Sequence, residues 1–106
     1  MAKSSYKRKR IARQKALKEW SLAVRARDWN KCQMCGSIKF LNAHHIISKV
    51  NKKLRLDIMN GISLCSKHHR FSFEISAHQN PFAFFLWFMN NKKEQFEYLK
   101  EKTNEM

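Results

Sequence analysis

What is scarce in this sequence closes off several classes of answer. No apolar run approaches the roughly 18 to 20 residues that span a bilayer, so no membrane protein is expected. Acidic residues number 8 against 22 Lys+Arg, and the formal net charge is +14. An imbalance of that size calls for a polyanionic partner, with nucleic acid the default and an anionic lipid surface the weaker reading. There are only three cysteines, an odd number, and no signal-peptide pattern precedes them. That favours thiolate metal ligands in a reducing, cytoplasmic compartment over a disulfide framework. At 106 residues we expect one small domain, 1–106, near the lower limit for a self-sufficient core, so a staple is needed. Zinc fits that need.

The positive charge is unevenly placed. Residues 1–31 hold eleven Lys/Arg against Glu19 and Asp28, whereas residues 91–106 hold four of each sign. Residues 1–10 read as a basic arm, with Lys7, Arg8, Lys9 and Arg10 in a row, the kind of run that orders on a phosphate backbone. From Ile11 the pattern becomes helical. Leu17, Trp20 and Val24 recur at helix spacing, and no Gly or Pro interrupts residues 11–28. Arg10, Arg13, Lys18 and Arg25 lie largely off that apolar stripe. They form either an ordinary solvated face or, as the one-signed excess favours, a helix lying along DNA phosphates.

Cysteine and histidine carry the chemistry. Cys32 and Cys35, followed by Gly36, have the spacing of a zinc knuckle, although a redox pair has the same spacing. The discriminator is a second pair, Cys65 and His68, thirty residues beyond Cys35. Together these four make a closed Cys3His zinc site. The gap between the pairs is long enough to be a structural unit of its own. Residues 40–47 read as a strand, 49–55 as a basic loop, 57–61 as a turn and 62–64 as a second strand pairing with the first. Ser66 is a candidate N-cap for a helix from Lys67 to about Ile75. The fold class is thus α+β, with a zinc-stapled ββα core over residues 29–75. Four of the five histidines fall within 44–69, which suggests a metal site with a general base beside it.

These residues resemble an HNH endonuclease, of the ββα-metal nuclease family. His44-His45, Asn60 fifteen residues after His45, and His69 nine further on reproduce the family's H-N-H spacing. The flanking cysteines are similar to its zinc-bound subgroup, and the stretch Ala77 to Pro81 is similar to small free-standing bacteriophage members. The resemblance implies that His45 is the general base and that His44 and His69 hold one divalent cation, Mg2+, Mn2+, Ni2+ or Zn2+. It implies that Asn60 binds backbone across the hairpin loop and so fixes how His45 points. It also implies phosphodiester hydrolysis of DNA to 5′-phosphate and 3′-hydroxyl ends, in a bacterial or phage-infected cell. Where many members have Asp this chain has His44, which shifts metal preference away from Mg2+. Where a fourth cysteine is common it has His68. Where some members have a further histidine one turn on it has Phe73, leaving two protein ligands for the cation. His78 reads as a cap or surface residue.

Asn80-Pro81 signals a helix start, and the apolar run to Met89 reads as a core helix beside Trp20 and Trp29, or else as a dimer interface. Lys92 to Thr103 reads as a final amphipathic helix with Phe96 and Leu99 inward, so that C-terminal helices occupy 80–103. A monomer nicking double-stranded DNA is the leading expectation, because one such site cuts one strand. The alternatives are a noncatalytic zinc-stapled DNA-binding protein and an RNA-directed nuclease or toxin.

Overall fold

A computed structural model describes residues 2–105; Met1 of the expected arm and Met106 lie outside the described residues. Helix α1 runs unbroken over Ala2–Arg27, so residues 2–10 are helical and continuous with the expected basic helix rather than an extended arm. The reason is local: Ala, Lys and Arg dominate α1, and all are good helix formers. At 1.5 Å per residue α1 is about 39 Å long. Residues 5–15 are exposed, while Trp20 and Val24 are buried, so only the C-terminal half docks. The helix ends where Trp29 and Asn30 take left-handed backbone angles (φ 61° and 52°) and Asn30 N–H returns to the Arg25 carbonyl.

Strands β1 (Leu41–His45) and β2 (Gly61–Cys65) form an antiparallel hairpin in which His45 faces Gly61 and His44 faces Ile62. Because cross-strand partners share a face, the sheet has two sides with different jobs. On one side lies α1. A Cβ on Gly61 would stand 2.5 Å from the Trp20 ring and 2.6 Å from Val24, so only glycine admits the helix this close. Asp28 accepts from the Ser63 N–H, and Arg27 donates to the carbonyls of Ile58 and Gly61, which pins the helix end to β2. On the other side Ile62 and Leu64 join Cys32, Cys65, Ala77, Phe84, Phe88 and Leu99 in the core.

After β2 the chain forms a π-helical turn, Lys67–Phe71, shorter and wider than the expected helix to Ile75. Ser66 does not cap it; its hydroxyl donates to the Phe40 carbonyl across the hairpin. Helix α2 (Pro81–Asn91) starts as its sequence indicates, with Asn80 Oδ1 accepting from Ala83 N–H. It buries Phe84 and Phe88 in the core on the face away from Trp20, and Trp29 is 82% exposed, so the expected neighbours of this helix are corrected. Phe82, Phe85 and Leu86 face solvent, while Trp87 packs against the cluster. Helix α3 (Lys93–Asn104) buries Leu99, with Phe96 packed against the cluster. Gln95, also buried, donates to the Met59 and Gly61 carbonyls. No helix among the described residues is long and apolar enough to cross a membrane.

Candidate metal centres and general base

Two ligand clusters lie back to back. In the first, the knuckle at Cys32–Cys35 is closed by Gly36 at φ 77°, whose N–H bonds the Cys32 carbonyl. The strand end brings in Cys65 and the π-turn brings in His68. Cys35 Sγ lies 3.8 Å from Cys65 Sγ, and His68 Nδ1 lies 3.6 Å from Cys32 Sγ and 3.3 Å from Cys65 Sγ. With Zn–S bonds of about 2.3 Å and Zn–N bonds of about 2.0 to 2.1 Å, a tetrahedron has S–S edges of about 3.8 Å and S–N edges of about 3.5 Å. These three separations lie near those edges and all four donor atoms are within 4.8 Å of one another, so the group could hold zinc, and at these separations no disulfide exists. Burial pushes the Cys32 thiol up, but N–H groups of Cys65, Met34 and Cys35 outweigh it and hold the pKa below the ordinary thiol value. Burial, followed by its sulfur neighbours, raises that of Cys65.

The second cluster contains nitrogen alone. His44 from β1, His69 from the π-turn and His78 from the following loop bring one ring nitrogen each within 4.8 Å of the others. The Nε2 atoms of His69 and His78 are 3.0 Å apart, between the N–N edges of about 2.8 to 3.0 Å and about 3.3 to 3.4 Å that bonds of about 2.0 to 2.1 Å give in an octahedron and a tetrahedron. His78 is set there by its own backbone, whose N–H bonds the His69 carbonyl. The expectation of a surface residue holds, but His78 does not stand alone there. His78 is exposed, but it supplies the third imidazole, while Phe73 points to solvent. Its sequence signal was slight, since a lone histidine in a loop has no spacing to read. The donor set fits a borderline divalent ion better than Mg2+, which prefers oxygen.

Electrostatics suit a ligand role. Burial, and then the neighbouring His69, His78 and His45, lower the pKa of His44 to about 3. Burial, His78 and Arg70 lower that of His69 to about 4. Both are neutral at pH 7, with lone pairs available. The adjacent residues His68 and His69 reach different clusters because successive side chains on a helical turn diverge by on the order of 100°.

His45 lines the same cavity as the second cluster, and Asn60 lies within the hairpin loop that follows His45. His45 Nε2–H donates to the Arg55 carbonyl at 2.9 Å, which leaves Nδ1 as the nitrogen with the lone pair. Burial is the largest influence on its pKa and lowers it, partly opposed by that hydrogen bond. Its ring lies flat on Trp20, centroids 3.8 Å apart and planes 8° from parallel. Asn60 is fully buried and laces the hairpin loop: Oδ1 accepts from Ile47 N–H at 2.6 Å, and Nδ2 donates to the carbonyls of Ile47 (2.9 Å) and Leu54 (3.1 Å). His44 and His45 alternate across β1, as strand geometry requires. The strand ends at His45, however, and both line one cavity of about 510 Å³ with His69, His78, Lys49 and Arg70. The basic residues of α1, from Lys7 to Lys18, lie on its exposed length and make no contact with either cluster among the described hydrogen bonds.

A β-hairpin and helical turn bearing a Cys3His group able to bind zinc define a ββα-metal fold of the α+β class. The family model of the HNH endonucleases matches residues 32–70, so the chain carries an HNH endonuclease domain there. HNH domains bind nucleic acid and are in general nucleases. No curated protein and no solved structure matches the chain significantly.

Proposed function

We propose that the protein is a metal-dependent DNA endonuclease that nicks double-stranded DNA as a monomer, leaving 5′-phosphate and 3′-hydroxyl ends. The observation that carries this reading is the shared cavity, in which an oriented neutral imidazole and a three-histidine cluster face the same space. His45 takes a proton from the attacking water through Nδ1, its Nε2–H held by Arg55. Asn60 keeps the loop that carries Arg55 closed on β1. A divalent cation held by His44, His69 and His78 would stabilise the charge developing on the scissile phosphate and on the departing 3′ oxygen. Lys49 and Arg70 attract the phosphate into the cavity. Cys32, Cys35, Cys65 and His68 hold a structural zinc, and Lys7, Arg8, Lys9, Arg10, Arg13, Lys18 and Arg25 on α1 bind flanking phosphates. The cysteine cluster suits a reducing cytoplasm, bacterial or phage-infected.

The test is supercoiled-plasmid cleavage by the parent and by His45→Ala at equal zinc content. The parent should give nicked circles, and the variant should lose about 10²- to 10⁴-fold in rate, the range for a lost general base. Equal nicking by both would remove His45 from the mechanism. DNA binding without cleavage by the parent under Mg2+, Mn2+ and Ni2+ would instead favour a noncatalytic zinc-stapled binder.

A further inference from the structure

We propose that Trp20 is a positioning residue that sets the plane of the His45 ring, so that α1 completes the reaction centre from outside the matched segment 32–70. The proposal rests on the reading of His45 as the base. A histidine ring has two side-chain torsions to fix. The hydrogen bond from Nε2 to Arg55 fixes one point of the ring but leaves it free to swing about that point. The Trp20 face, 3.8 Å away and 8° from parallel, removes the swing. Trp20 is itself immobilised on three sides. Its indole N–H donates to the Asp57 carbonyl at 2.8 Å, and only 5% of the residue is exposed. The bare Cα of Gly61 admits its ring edge, which any side chain there would displace. Asp57 also accepts from Met59 N–H at the start of the short turn Ile58–Asn60, so the residue that anchors Trp20 also shapes the turn presenting Asn60.

This arrangement differs from ordinary core packing. Trp20 does not belong to the main hydrophobic cluster of β2, α2 and α3, and the ring it covers belongs to a polar side chain with one nitrogen committed and one free. Any large apolar residue would fill the volume, but a flat aromatic face is needed to hold a plane. Phenylalanine should therefore substitute and leucine, though bulky and apolar, should not.

The experiment compares the zinc-loaded parent with Trp20→Phe, Trp20→Leu and His45→Ala, measuring plasmid nicking and the NMR shifts of the histidine ring protons. The ring protons of His45 should lie upfield of those of the other four histidines in the parent and in Trp20→Phe, the signature of a stacked aromatic face. Trp20→Leu should lose that shift and drop about 10- to 100-fold in kcat with KM little changed, as expected of a misplaced reacting group. Trp20→Phe should recover most of that loss. Full kcat in Trp20→Leu, set against a dead His45→Ala, overturns the positioning role while leaving the base assignment standing. Equal nicking by His45→Ala and the parent removes the base assignment, and the proposal with it. Should Trp20→Leu not fold, the parent spectrum decides, and an unshifted His45 overturns the proposal.

Discussion

The two ligand clusters share a peptide bond, between His68 and His69, and differ in donor chemistry, donor number and what they open onto. The Cys3His group is sulfur-rich, spaced for a tetrahedron and wedged between the knuckle and the strand end, with Cys32 and Cys65 buried in the core. Each group has one exposed member, Cys35 and His78, but the three-histidine group contains no sulfur and opens on a cavity with two cationic neighbours. The first offers four donors, enough to fill a tetrahedron, whereas the second offers three and leaves a position for a reactant. The sequence places the residues of both within one stretch, and it is the π-turn that separates them in space. Folding and chemistry are thereby joined at one point of the chain without sharing a ligand.

The sharpest way to break this division is to remove one ligand from each side. Cys35→Ser should lose the fold outright, since structural zinc contributes on the order of 10 kcal/mol or more and a domain this small has about 5 kcal/mol or little more to spare. A far-UV spectrum with zinc content reads this out, and a soluble, cooperatively folding, zinc-free variant would show that the cluster is no staple. The next effect in size is Asn60→Ala, which strands the Ile47 N–H and the Ile47 and Leu54 carbonyls. At about 1 to 3 kcal/mol per buried unpaired group, urea unfolding should show a loss of about 3 kcal/mol or more. An unchanged midpoint would mean that the loop is held by other contacts. His78→Ala should leave fold and structural zinc untouched while weakening Mn2+ or Ni2+ binding at the second cluster by about tenfold or more, the least that loss of a ligand should cost. Unaltered affinity in calorimetry would return His78 to the surface role its sequence suggested.

A further effect concerns pH. His44 and His69 titrate near 3 and 4 in the folded protein and near 6.5 in an unfolded chain. Below pH 6.5 the unfolded chain takes up protons that the folded one refuses, so these two residues should make the protein less stable as pH falls from about 6.5 to about 4 for His69 and about 3 for His44, with little contribution above that window. Urea unfolding at pH 7.5, 6.5 and 5.5, with structural zinc retained, should show the decline in the parent and a shallower one in His69→Phe. Identical slopes would mean that the burial of His69 plays no part.

Much of the architecture was legible because the signals were local. The C-x2-C and C-x2-H pairs, the H-N-H spacing, the Asn80-Pro81 start and the apolar positions Trp20, Val24 and Leu99 each depend on few neighbours. What escaped depended on contacts between distant parts. The length of α1 was misjudged because a dense run of like charge reads as an arm, although its residues are individually good helix formers. The π-turn escaped because its helix-like pattern is cut short when Ala77 and His78 donate back to the carbonyls of His68 and His69. That return brings His78 to the second cluster, which no spacing rule foresaw. The stack of Trp20 on His45 was hidden for the same reason, since it joins a helix to a strand end 25 residues away. His44 and His45 posed the one geometric difficulty, two neighbours on opposite faces, and the early end of β1 removes it.

The division into staple and reaction centre is tested most directly by measuring metal content and plasmid nicking together in the parent and in His69→Ala. The account predicts that both proteins retain one equivalent of zinc and the same far-UV spectrum, while only the parent binds a second divalent ion and nicks the plasmid. A His69→Ala protein that loses its zinc, or that nicks at the parental rate with Mg2+, Mn2+ or Ni2+, would contradict it.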